Sequence, residues 1–127
     1  MPNSKHPTSP HLQIYRLPLT ALLSITHRIT GVLLTLGSIM LVWLLAAAAD
    51  NAASYEALAA HLDTWYGQIF MIGFVFALYL HFCNGVRHLF WDVGYGFELD
   101  TVDLTAKLAI AVAIIMTLAT WVVAGAG

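Results

Sequence analysis

The chain has 127 residues, 60% of them hydrophobic and 9% charged, with a mean hydropathy of +0.79; a soluble domain of this size has too little polar surface to cover such a composition. A net charge of −2 and five scattered Lys and Arg residues exclude the basic patch that nucleic-acid binding needs, and the single cysteine, Cys83, excludes an internal disulfide and a CxxC metal pair. The chain reads as an integral membrane protein with the lipid bilayer as its solvent.

Residues 1–20 are polar, and Pro2, Pro7, Pro10 and Pro18 forbid a continuous helix, so this stretch is expected to lie in water or at the interface. It lacks the apolar core of a secretory signal and the Arg/Ser-rich amphipathic pattern of a transit peptide, which points to a bacterial inner membrane rather than its mitochondrial equivalent. Ile29 to Ala49 is a charge-free run of 21 residues, enough for a hydrocarbon core that takes roughly 20 helical residues. Asp50 to Asp63 reads as a short acidic loop without Lys or Arg. Thr64 to Val86 gives a second charge-free run of 23 residues, Tyr95 to Asp103 an acidic turn, and Leu108 to Gly127 a third run of 20 residues.

Only helices and closed barrels satisfy their backbone amides in lipid, so the expected fold is all-α, a single domain over residues 21–127 with transmembrane helices at about 21–49, 64–92 and 103–125. Lys5, Arg16 and Arg28 flank the start of the first helix, and Arg87 and Lys107 flank the link between the second and third. The positive-inside rule then puts the N-terminus in the cytoplasm and the C-terminus outside. Three helices enclose little interior, and Gly31, Thr35 and Ser38 give the first a strip of small residues that lets another backbone approach. A partner membrane subunit is expected.

Polar residues within such segments are costly and therefore informative. His81 and His88 lie seven residues apart, nearly in line on one helix face and about 10 Å apart along the axis. Ser24, His27, Arg28 and Gly31 cluster near the start of the first helix. Arg28 alone reads as a snorkelling anchor and His27 as an interfacial residue; together with Ser24 they also read as a pocket offering donors to an anionic or carbonyl ligand. If the first two helices are neighbours, Arg28, His27, Arg87 and His88 share one membrane level, and His81 lies deeper with Asn84 on its face. That arrangement suits a haem on edge, its iron against His81 and its propionates at the basic cluster. Met116 is the in-chain candidate for a second axial ligand, one turn too deep, while His27 and His88 are too shallow. A histidine from the partner subunit fits better.

Three stretches carry a family resemblance over almost the whole chain. Ser24-Ile-Thr-His-Arg-Ile-Thr-Gly31 resembles the S-I-x-H-R-x-[TS]-G motif of the cytochrome b membrane-anchor subunits of succinate dehydrogenase. His81-Phe-Cys-Asn-Gly-Val-Arg-His88-Leu-Phe-Trp-Asp92 is similar to that family's H-x-x-x-G-[IV]-R-H-[LM]-x-x-D, and Ser9-Pro-His-Leu-Gln-Ile-Tyr15 to its S-P-H-L-x-I-Y lead. The residues before that lead, His6-Pro7-Thr8, depart from the family's frequent Arg-Pro-Leu.

The resemblance implies a complex of a flavoprotein subunit, an iron–sulfur subunit and two small membrane-anchor subunits, with haem b between the latter. It puts His81 at the haem-ligating position, with the other axial ligand from the second anchor subunit. It puts Ser24 and Arg28 at the quinone site, His27, Arg28 and His88 near the propionates, and residues 9–15 against the iron–sulfur subunit. The chain would be a subunit of succinate:quinone oxidoreductase without a succinate-oxidising site of its own. Two alternatives stand beside this: a fumarate reductase anchor, and a non-redox membrane protein using His81 and His88 as a proton relay.

Overall fold

A computed structural model describes residues 16–125; the Ser9–Tyr15 stretch expected to meet an iron–sulfur subunit lies outside the described residues. Four helices follow one another: α1 (Leu19–Asp50), α2 (Ala52–Leu62), α3 (Trp65–Asp92) and α4 (Leu99–Gly125). Among the described residues there is no strand. α1, α3 and α4 are each long and apolar enough to cross a membrane, as the three charge-free runs predict.

The elements begin and end where backbone chemistry dictates. Pro18 stands in extended conformation just before α1, and its carbonyl accepts from the amides of Ala21 and Leu22 at 3.0 and 3.2 Å. Asn51 closes α1 and opens α2: its own amide bonds the Ala47 carbonyl, and its side chain accepts from the Ser54 amide at 2.8 Å. The expected loop over 50–63 is therefore mostly helix. Once Asn51 caps it, the Ala-, Leu- and Glu-containing stretch that follows has good helix propensity, and its few charges are no obstacle at an exposed position.

Thr64 caps α3 through the Gly67 amide at 3.2 Å, and Gly67 has no room for a side chain, because a Cβ there would run into the His61 carbonyl and the Leu62 backbone. After α3, Gly94 and Gly96 take φ of +88° and +82°, which glycine adopts without a Cβ penalty. The Tyr95 amide reaches back to the Phe90 carbonyl at 3.0 Å, the closure by which helices commonly end. α4 starts at Leu99, earlier than the expected 103, because Asp100 in its first turn favours the positive helix end. Charges at that level lie beyond the hydrocarbon and do not stop a helix.

α3 is the centre of the bundle, packed against α1 on one side and α4 on the other, with α2 bridging the far end of α1 and α3. The core is small: Leu23, Leu80, Ala106 and Ala113, with Leu19, Phe76, Tyr79 and Ile110 packed around it. α4 turns a stripe of Ala106, Ala109, Ala113 and Thr117 inward, and such small side chains let helix backbones approach closely in a membrane. Of the small strip expected on α1, Gly31 meets His81, whereas Thr35 and Ser38 stay exposed. Gly37, next to Ser38 but on another face of α1, is buried against the Phe74 ring. Large apolar side chains such as Leu36, Ile39, Phe82 and Ile115 remain on the outside, as a lipid-facing or subunit-facing surface requires.

Candidate functional site

The site is assembled about one-third of the way along α1, where it passes the C-terminal half of α3. Three imidazoles meet there. The rings of His27 and His81 stack with centroids 4.0 Å apart and planes 13° from parallel. His88, one heptad beyond His81, tilts toward His27 at 5.3 Å and stands edge-on to Trp91 at 5.1 Å. His27 thus sits between the two α3 histidines, deeper relative to His81 than counting residues from the helix ends indicates.

His81 is fixed by two bonds to α1. Its Nδ1 lies 3.1 Å from the His27 backbone carbonyl and 3.1 Å from the Thr30 hydroxyl. A carbonyl only accepts, so the bond to His27 requires the proton on Nδ1, and a neutral His81 then carries its lone pair on Nε2. The Thr30 hydroxyl has one proton, and its shortest acceptor is the Thr26 carbonyl at 2.8 Å. Its own lone pairs are left to face His81. Gly31 lies beneath the same ring: a Cβ there would stand 3.2 Å from His81 Cε1 and 3.8 Å from Nδ1.

A ring nitrogen that donates to a backbone carbonyl while the other nitrogen keeps its lone pair is the arrangement that metal-bound histidines use. The structure contains a second mark of an incomplete site. His27 Nδ1 is buried and has no hydrogen-bond partner among the described residues, a cost normally met by a ligand, water or partner chain. Among the described residues the only ion pair is the exposed Lys107–Asp103 contact on α4, so no carboxylate balances the imidazole cluster. A lone-pair nitrogen on His81 beside the unsatisfied His27 imidazole, with Arg28 exposed on the same stretch of α1, is a donor set that would suit a haem held through His81.

Of the described residues, His27 would not serve as a second ligand opposite His81. Ligands on opposite faces of one iron approach end to end, whereas His27 and His81 are stacked face to face. Met116, on α4, is 42% exposed and takes no part in the cluster of His27, His81 and His88.

The two arginines part company. Arg28 is exposed on α1, one turn beyond the half-buried Ser24, so a hydroxyl and a guanidinium share an open face next to His27. Arg87, expected within the same basic cluster, is turned into the α3–α4 seam. Its Nη1 donates to Asn84 Oδ1 at 2.9 Å, its Nη2 to the Val102 carbonyl at 3.2 Å and its Nε to Thr105 Oγ1 at 3.3 Å. The guanidinium carbon lies 4.9 Å from the centre of the Trp91 ring, within cation–π range. Asn84 is 1% exposed, and its Nδ2 has no partner among the described residues. It serves Arg87 rather than His81, although it lies only one turn from both.

Sequence reasoning missed Thr30 as a partner of His81 and the Arg87–Asn84–Thr105 network. The signal for the first was available in the Thr30-Gly31 pair, a hydroxyl beside a missing side chain one turn after His27. The network had no such signal, because Thr105 lies beyond a turn whose geometry only the fold reveals.

Residues 2–120 match the family model described as succinate dehydrogenase/fumarate reductase transmembrane subunit. The succinate dehydrogenase cytochrome b556 subunit of Rickettsia felis (strain ATCC VR-1525 / URRWXCal2) is 40% identical over 120 residues, covering 94% of this chain and 93% of that protein. The protein of the same name from Paracoccus denitrificans is 38% identical over 117 residues, covering 92% and 90%. The succinate dehydrogenase cytochrome b560 subunit of Reclinomonas americana is 37% identical over 126 residues, covering 95% and 88%.

Proposed function

The chain belongs to the succinate dehydrogenase/fumarate reductase transmembrane subunit family, and on that premise we propose that it anchors a succinate:quinone oxidoreductase in a bacterial inner membrane. In this reading it shares a haem b with a second small membrane subunit and lines the site where quinone is reduced. The observation that carries the reading is the bond from His81 Nδ1 to the His27 carbonyl at 3.1 Å, which leaves Nε2 as the lone-pair nitrogen. The names of the relatives, cytochrome b556 and b560 subunits, support haem as the group it holds.

His81 would supply one axial ligand and the partner subunit the other. His27 and His88 would face the propionates, with Arg28 able to reach them from the exposed side of α1. Arg87 would act at one remove, holding the end of α3 against α4. Bound there, the haem supplies a site that takes up and gives back one electron at a time.

The chain's own residues would act on quinone from the exposed face of α1. Ser24 has a hydroxyl to donate to a quinone carbonyl, and Arg28 carries a fixed positive charge where negative charge grows on that oxygen during reduction. At the edge of the hydrocarbon, where water is scarce, such a charge acts strongly. Succinate would be oxidised on the flavoprotein subunit and its electrons delivered through the iron–sulfur subunit. The orientation expected from the basic residues puts the N-terminus and the α3–α4 link on the cytoplasmic side, with those soluble subunits.

The test is the dithionite-reduced minus oxidised visible spectrum of the detergent-purified complex beside a His81→Ala version. A sharp low-spin b-type α-band in the parent that is lost, weakened or turned high-spin in the variant is the expected result. A colourless parent at full subunit occupancy would remove the haem reading and favour a proton relay. An unchanged spectrum in the variant would move the ligand away from His81.

A further inference from the structure

The His81 imidazole is seated by three successive features of one α1 turn and its neighbour: the His27 carbonyl, the Thr30 hydroxyl and the absent side chain of Gly31. The first two accept the Nδ1 proton at 3.1 Å each, and the third leaves space that a methyl group would take from Cε1 at 3.2 Å. The His27 ring covers one face of His81 at 4.0 Å. Thr30 is itself buried, 7% exposed, so its hydroxyl is no solvated surface group. Held at one edge and one face, the ring has a fixed tautomer and a fixed rotation.

We propose that Thr30 and Gly31 are positioning residues for the axial ligand: Thr30 holds the proton on His81 Nδ1 and Gly31 sets the ring's rotation about its side-chain bonds. This rests on the haem reading above. The chemistry follows from the hydrogen bond. A second acceptor on Nδ1–H pushes electron density onto Nε2 and makes it a stronger donor, which favours the ferric state. Removing one acceptor weakens that donation and favours the ferrous state. The ring's rotation determines how its π orbital overlaps the iron d orbitals, which the low-spin ferric EPR spectrum reports. Thr30 touches neither iron nor quinone in this scheme; it acts through His81.

The variant that isolates the hydroxyl is Thr30→Val, which keeps the branched shape and removes the acceptor. In the purified four-subunit complex the midpoint potential of the haem should rise, the ratio of reduced to oxidised haem at a fixed potential changing threefold to tenfold, or about 28–59 mV for a one-electron couple. Thr30→Ser restores a hydroxyl and should return the parent potential. Gly31→Ala keeps both acceptors and crowds Cε1, so it should alter the low-spin EPR signal or introduce a high-spin fraction.

Parent potential and parent EPR in both Thr30→Val and Gly31→Ala, at full haem occupancy, would overturn the proposal. Should Thr30→Val fail to assemble, Gly31→Ala decides alone, because it changes one contact and no hydrogen bond. The haem reading fails separately, through a haem-free parent or a His81→Ala complex with an unaltered low-spin spectrum. A spectrum that depends on His81 but ignores both α1 variants overturns the seat alone.

Discussion

Two arginines near one end of the bundle offer a sharp test, because the structure gives them opposite circumstances. Arg28 is exposed, and replacing a surface side chain of this kind changes stability by no more than about 0.5 kcal/mol. A loss of quinone reduction in Arg28→Ala at parental haem content and spectrum is then the loss expected of the proposed quinone contact, since Arg28 also lies within reach of the proposed propionates. A hydrogen bond to a charged group contributes about 1.5–3 kcal/mol, which at 1.36 kcal/mol per decade predicts a fall in quinone kcat/KM of about 13- to 160-fold. Ser24→Ala removes a neutral bond, about 0.5–1.5 kcal/mol, or about 2- to 13-fold.

Succinate oxidation by a soluble artificial acceptor, which draws electrons before they reach the membrane, should remain at the parent rate in both. Arg87→Ala should behave differently. It strips the donor from Asn84, Val102 and Thr105 at once, and the buried Asn84 side chain left without any partner costs about 1–3 kcal/mol by itself. Both activities should fall together with the yield of assembled complex. The assay is the ratio of quinone-dependent to artificial-acceptor rates in the same preparation. Equal loss of both rates in Arg28→Ala, or quinone reduction within twofold of the parent, would refute the assignment of this face of α1 to quinone.

Three glycines in the long helices should respond to alanine in a defined order, read by thermal unfolding of the detergent-solubilised complex. Gly67→Ala should destabilise most, since its Cβ meets the backbone of His61 and Leu62 and no rotamer change relieves it; Gly37→Ala, which meets the Phe74 ring, should cost about 1–3 kcal/mol. Gly73 has open space around it, so Gly73→Ala should be neutral or gain about 0.5–1 kcal/mol. Orientation is checked in a Cys83→Ala background: with a membrane-impermeant maleimide on intact cells, Glu56→Cys should be labelled and Glu98→Cys protected, and the reverse pattern would invert the topology.

The three long helices were legible because the bilayer leaves so few options: a charge-free run of 20 residues or more that must satisfy its own amides is a helix. α2 was not, since the same rule has no force outside the hydrocarbon, where Asp50, Glu56 and Asp63 read as loop residues. The local signal was present in Asn51 and Ser54, which make the cap. The early start of α4 was hidden for the same reason, its first turns carrying Asp100 and Asp103 at a level where charge is cheap.

Within the site, the alignment of His81 with His88 could be read from their spacing, and so could the proximity of Ser24, His27 and Arg28. The registry between α1 and α3 could not. Counting residues inward from each end put His27 too shallow to meet His81, but helix ends need not lie in one plane. The registry is set by where side chains are missing: Gly31 receives the edge of His81, and Gly37 receives Phe74. Those two contacts slide His27 between the α3 histidines and bring its carbonyl to His81 Nδ1. The same stacking that orients His81 withdraws His27 from the far side of any iron bound at Nε2, so in the proposed ligation the chain defines one axial direction and leaves the opposite one to its partner. The height of the iron in the membrane would then follow from two glycines on α1, neither of which carries any chemistry of its own.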